Sequence, residues 1–134
     1  MTTRDILTGI LARWGFPVRY ASKSLMVIRF QMNFIYLYLP DGDDPTVSVR
    51  YVTGYRYPLG PGEHDVAGIC NRLNRNLSNV KLYTDGDGYL TASSDIILTD
   101  TGDAEALLSR GLESVTEAVG IFDRIHSVEM EHLV

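Results

Sequence analysis

Along the first fifteen residues, apolar side chains recur three and four positions apart at Ile6, Leu7, Ile10, Leu11 and Trp14, which lines one side of a helix. Thr2 followed three positions later by Asp5 is a capping box for its start, and Gly15 supplies its end. The period then changes. Pro17 to Ala21 reads as a short strand, and Leu25 to Met32 and Phe34 to Leu39 read as two β-prone runs meeting around Gln31, Met32 and Asn33. The pattern leaves open whether these two runs make a tight hairpin or one bent strand. From Thr46 to Thr53, Val47, Val49 and Tyr51 alternate with Ser48 and Arg50, the signature of an antiparallel strand with one side in water.

Positions 54–62, GYRYPLGPG, hold three glycines and two prolines and are read as a loop. Val66, Ile69, Cys70, Leu73 and Leu77 then mark a helix from about Glu63 to Leu77, with Glu63 and Asp65 favourably placed in its first turn. Val80, Leu82 and the run Tyr89 to Ala92 flank the stretch TDGDGY as the two arms of a hairpin, where Asp-Gly suits a turn with positive φ at both central residues. Several N-cap candidates between Thr99 and Asp103 open a long helix from about Ala104 to Ile125 or beyond. Its seam of Ala104, Leu108, Gly111, Val115, Ala118, Phe122 and Ile125 is widened by Leu107, Leu112 and Val119. That face either covers the chain's own sheet or receives a partner at Gly111 and Gly120.

Strands grouped in runs, rather than alternating with helices, predict an α+β fold: a twisted antiparallel sheet with three helices, in the order α-β-β-β-(β)-α-β-β-α. At 134 residues the chain fits one domain, residues 1–134, able to bury a core without disulfides or metals. A formal charge of −5 disfavours nucleic acid and anionic membranes as partners. The uninterrupted apolar run Phe34 to Leu39 is far shorter than the roughly 20 residues of a spanning helix. The N-terminal helix contains Asp5 and Arg13 and lacks the features of a secretion signal, and the lone Cys70 suits a reducing cytoplasm. Arg19, Arg29, Arg50 and Arg56 are scattered among apolar residues and give no binding signal of their own.

The acidic clusters invite a test for calcium. An EF-hand loop needs oxygen ligands at its first, third and fifth positions, glycine at the sixth and glutamate at the twelfth. With Asp85 third and Asp87 fifth, the first position is Tyr83 and the twelfth Ser94; with Asp85 first, the sixth is Leu90 and the twelfth Ile96. Neither register ligates, and the cluster Asp41-Gly42-Asp43-Asp44 fails because Pro45 takes its fifth position. His64, His126 and His132 lack metal-ligand spacing, with the last two read as part of a solvated helix end. Cys70 lies in an apolar stripe, where a thiol is inert. No catalytic, metal or cofactor site emerges.

The tyrosines carry more. On an ideal strand Tyr36 and Tyr38 share a face with Phe34, and Tyr51 shares parity with Tyr55 and Tyr57, so an aromatic band crosses the sheet. Tyrosine suits surfaces that are apolar at one end and wet at the other, so the band is a candidate protein interface. Gly111, Val115 and Phe122 on the long helix are the second candidate.

Asn71-Arg72-Leu73-Asn74-Arg75, followed by Val80-Lys81-Leu82-Tyr83 and the Asp-Gly hairpin, resembles the core of the YbjN family of proposed bacterial sensory transduction regulators. Recognisable residues span about 66 to 125, and the order of elements agrees over nearly the whole chain. The resemblance implies a fold similar to the type III secretion chaperones, frequent self-association, and a role in protein interaction or regulation. It carries over no catalytic residue. Asn71 and Asn74 neighbour each other on their helix and are expected to bond backbone groups of an adjoining strand or loop. The expectation is a non-enzymatic cytoplasmic module with a protein partner, and a homodimer. The alternative is a small enzyme or ligand-binding domain with a pocket under the Tyr-rich strands.

Overall fold

The computed structural model describes residues 2–41, 44–57, 66–99 and 102–131. Helix α1 (Thr3–Trp14) opens on the expected capping box, Thr2 Oγ1 accepting from the Asp5 amide at 3.1 Å while Asp5 Oδ2 accepts from the Thr2 amide at 3.1 Å. It closes on Gly15 at φ 74°, whose N–H reaches the Ala12 carbonyl. Strands β1 (Arg19–Ser22), β2 (Leu25–Phe30), β3 (Asn33–Tyr38) and β4 (Thr46–Arg56) follow, then helix α2 (Val66–Asn76), strands β5 (Lys81–Thr84) and β6 (Tyr89–Ile97), and helix α3 (Ala104–Glu131).

The strands form one antiparallel sheet in the order β1-β2-β3-β4-β6-β5. After β4 the chain crosses through α2 to the far edge, and β6 returns by a hairpin to lie beside β4. One face carries Met26, Ile28, Ile35, Leu37, Val47, Val49, Ala92 and Ile96, all buried. Onto it the helices bring Leu7, Ile10 and Leu11 from α1, Ile69 and Leu73 from α2, and Leu108, Leu112, Val115 and Phe122 from α3. Each such side chain contributes about 1.5–3 kcal/mol by leaving water. Arg13 on α1 pairs with Glu105 at the start of α3 at 2.6 Å. Among the described residues no helix is long and apolar enough to cross a membrane.

Several local expectations change. β2 and β3 join in a tight hairpin, one of the two arrangements the pattern left open, but with Gln31 at φ 50° and Met32 at φ 70°, so the positive-φ pair falls here without glycine or asparagine. In the Asp85 hairpin only Gly88 has positive φ, 88°, making a turn followed by a left-handed residue instead of the expected double-positive turn. Gly54 to Arg56, read as loop, extend β4, because Arg56 pairs with Tyr89 across a register shift after Val52. β6 likewise runs on to Ile97, since Ser93, Ser94 and Asp95 continue to pair with β4 despite their polarity. The rest of the Gly- and Pro-rich segment from Pro58, with Glu63 to Asp65, lies outside the described residues.

Candidate functional site

The helices pack on one face only; the other is exposed at Phe34, Asp95 and Ile97, while Thr91 and Ser93 on it are buried. Cross-strand partners place Arg19, Val27, Tyr36, Arg50, Ser93 and Lys81 in a single row that crosses all six strands. A neighbouring row runs Leu25, Tyr38, Ser48, Asp95, and on the other side Arg29 stands opposite Phe34. Among the described residues, the cations Arg19, Arg29, Arg50 and Lys81, with Arg56 opposite Tyr89, thus share this face with the carboxylate of Asp95. The surface is basic on a chain whose formal charge is −5.

β3 supplies the aromatic strip because its odd-numbered residues Ile35 and Leu37 are drawn into the core, which turns Phe34, Tyr36 and Tyr38 outward. Phe34 is 57 % exposed, and the two tyrosines are half-buried. Guanidinium groups cover the rings: Arg50 lies 4.2 Å from the Tyr38 centroid, with its Nε donating to Ser48 Oγ at 3.0 Å, and Arg29 lies 5.5 Å from that of Phe34. Beside this strip, between β1 and β2–β3, is a groove of about 750 Å³. Val18, Val27, Phe34 and Tyr36 give it apolar walls, and Arg19 and Arg29 give it charge. Among the described residues its lining contains neither a carboxylate nor a thiol, hydroxyl–imidazole pair or other nucleophile with a base.

The other expected interface residues are placed differently. Tyr51 belongs to the helix-side face, where it stands opposite Ala92 and its hydroxyl donates to Asn33 Oδ1 at 2.9 Å. Tyr57 packs edge-on against Phe122 at 5.7 Å and His126 at 5.1 Å. Tyr55 lies in β4, its side chain outside the described residues. The aromatic band is therefore split between two faces, since Tyr36 and Tyr38 pair with Arg50 and Ser48, which leaves Tyr51 on the opposite side of β4. Gly111, Val115 and Phe122 are buried against the chain's own sheet. A Cβ on Gly111 would stand 3.1 Å from Ile96 Cγ2 and 3.4 Å from Val49 Cγ2, so the close approach this glycine permits is intramolecular.

Asn74 reaches the outer edge of the sheet, its carboxamide accepting from the Leu82 amide at 2.7 Å and donating to the Leu82 carbonyl at 2.9 Å. Asn71 is exposed. Burial pushes the Cys70 thiol up to about 11, which keeps it protonated and unreactive. His126, expected at a solvated end, stacks on Phe122 at 5.6 Å because α3 continues past it. Burial raises the Asp123 carboxyl above its ordinary range, and the nearby His126 partly offsets this. His64 and His132 lie outside the described residues. In the Asp85 turn, Oδ1 accepts from the amides of Asp87 at 2.9 Å and Tyr89 at 3.0 Å, the local bonding of a turn-forming aspartate. Among the described residues no three His, Cys, Asp or Glu side chains gather to hold a metal ion. Reading by residue type missed Arg19, Arg29 and Arg50, whose shared face is set by strand register and not by nearness in sequence.

No family model matches the sequence, and the search of curated proteins found no relative. Among solved structures the chain is similar to that of YbjN from E. coli, described as a proposed transcription regulator: the TM-score is 0.63 at 12 % identity, covering 95 % of this chain and 93 % of that one. At this identity the likeness shows the fold, and the resemblance drawn from Asn71 to Tyr83 and the hairpin holds at that level. The α+β architecture expected from it, a twisted antiparallel sheet with three helices, is the one observed.

Proposed function

We propose that this protein is a non-enzymatic binding module, regulatory or chaperone-like, that captures a protein partner on the open face of its sheet. The fold shared with a protein described as a proposed transcription regulator supports a binding role over a chemical one. The observation that carries the reading is the strip of Phe34, Tyr36 and Tyr38, on the side of the sheet away from the helices and set among Arg19, Arg29 and Arg50. Aromatic and arginine side chains are the residue types that dominate binding energy at protein interfaces. A buried, protonated Cys70 is compatible with a cytoplasmic setting. The homodimer expected from the sequence remains part of the proposal, with an interface away from the seam of α3, which the chain's own core occupies, and away from the basic β1 edge.

The groove beside the strip favours a second reading, a site for a small amphipathic anion, because its size falls in the range of ligand pockets. Affinity capture from native extract separates the two. Wild type and a Phe34→Ala, Tyr38→Ala variant with matching thermal midpoints are compared: the binding-module reading expects a protein species retained by the first and lost by the second. Equal capture by both, or none, overturns it, and a small molecule released from wild type alone supports the pocket reading.

A further inference from the structure

The two edges of the sheet differ. At β5 the outward amide and carbonyl of Leu82 are both engaged by Asn74, so that position is closed to another strand. At the opposite edge β1 has, among the described residues, a neighbouring strand on one side only, and all four of its residues are exposed. The groove lies against β1, and its apolar walls and two guanidinium groups are within reach of side chains on a strand laid beside it.

We propose that the β1 edge and this groove together take an extended acidic segment of a partner protein as a seventh strand. The proposal rests on the reading of the open face as a protein-binding surface and names its partner chemistry. Strand addition draws affinity from main-chain hydrogen bonds and specificity from alternate side chains, which here would fall on the groove side of the sheet. An apolar side chain on the added strand would lie against the β1 wall of the groove at Val18 and Ala21, and Asp or Glu two residues away would meet Arg19, with the long side chain of Arg29 reaching from β2. Charge complementarity selects the occupant. Beside Arg19 and Arg29, the turn after β1 carries Lys23, and Arg4 of α1 lies 5.1 Å from the Tyr20 centroid, so a second copy presenting its own β1 would bring like charges together. A nucleic acid would meet the basic face but also the field of a chain with formal charge −5.

Selection from a displayed library of random twelve-residue peptides tests this on the intact protein. The expected winners alternate apolar residues with Asp or Glu. N-methylating alternate residues of a winner should abolish binding in one register and spare it in the other, as main-chain pairing along one edge requires. An Arg19→Glu, Arg29→Glu variant with an unchanged thermal midpoint should bind the winner at least ten-fold more weakly and should select Lys- and Arg-bearing peptides instead. Winners that depend on Phe34 and Tyr38 but not on Arg19, Arg29 or N-methylation would overturn the strand proposal and leave the open-face reading standing. Absence of any selected peptide, tighter binding of oligothymidylate than of peptide, or self-association through β1 in sedimentation would overturn it as well; the first of these also removes the open-face reading.

Discussion

The carboxamide of Asn74 stands in for a neighbouring strand at Leu82, accepting its amide at 2.7 Å and donating to its carbonyl at 2.9 Å. Two main-chain groups on an edge strand are satisfied by one side chain from α2, which fixes the helix against β5 and closes that part of the edge. Replacing Asn74 by Ala should destabilise the protein by about 1–2 kcal/mol, because both backbone groups lose their partners at once. Light scattering of the same variant should show faster aggregation on partial denaturation, since an unpaired edge accepts other strands. An unchanged denaturant midpoint would show that water replaces the amide without loss.

Gly111 and Gly120 on α3 should respond with opposite signs. A Cβ at Gly111 meets Ile96 Cγ2 at 3.1 Å and Val49 Cγ2 at 3.4 Å, whereas one at Gly120 has only Arg124 Nη1 at 4.0 Å. Gly111→Ala is expected to lose roughly 1 kcal/mol as overpacking exceeds the helix-propensity gain. Gly120→Ala should gain about 0.5–1 kcal/mol from propensity alone. Thermal melts of the two variants check the contrast, and a stabilising Gly111→Ala would show that Ile96 and Val49 yield freely.

The β2–β3 turn stores backbone strain that a sequence change can release. Gln31 at φ 50° and Met32 at φ 70° occupy the left-handed region, and Met32 is 80 % exposed, so no packing is lost on its removal. Substituting Asn-Gly for this pair should raise stability by about 1 kcal/mol. A lower midpoint for the double variant would mean that the native side chains make contacts worth more than the strain.

Cys70 links stability to alkaline pH. Burial holds its folded-state value up to about 11, above the roughly 8.5 of a free thiol, so its contribution is fully present below that lower value and is lost as pH rises through the folded value. Denaturant midpoints should fall between about pH 8.5 and 11, and Cys70→Ala should remove that part of the decline. At pH 8 a thiol reagent should label the native protein only at the rate of its opening. Immediate labelling would place the thiol at the surface.

Much of the architecture was legible in the chain because local rules act on adjacent residues. The 3.6-residue stripe from Ile6 to Trp14, bounded by Thr2 and Gly15, specifies α1 almost residue by residue, and Val47, Val49 and Tyr51 alternate as a half-buried strand must. The stripe of α3 was equally clear, yet a wide apolar face states only that something covers it. That the cover is the chain's own β4 and β6, through Gly111, depends on which strands lie beneath the helix.

The candidate site lay beyond such rules. Phe34, Tyr36 and Tyr38 share a face by the two-residue period of a strand, which the sequence determines, but Tyr51 parts from them because pairing with Ala92 puts it on the helix side. Arg19 and Arg50 are 31 positions apart and become members of one row only when four strands align in register. Periodicity is a property of neighbours along the chain, so the sequence by itself determined the helices and most of the strands, the cap of α1 and the inward side of β2, β3 and the first part of β4. Which edge Asn74 closes, where the groove opens and how the cations gather follow from long-range hydrogen-bond pairing, and the tertiary structure alone decided them.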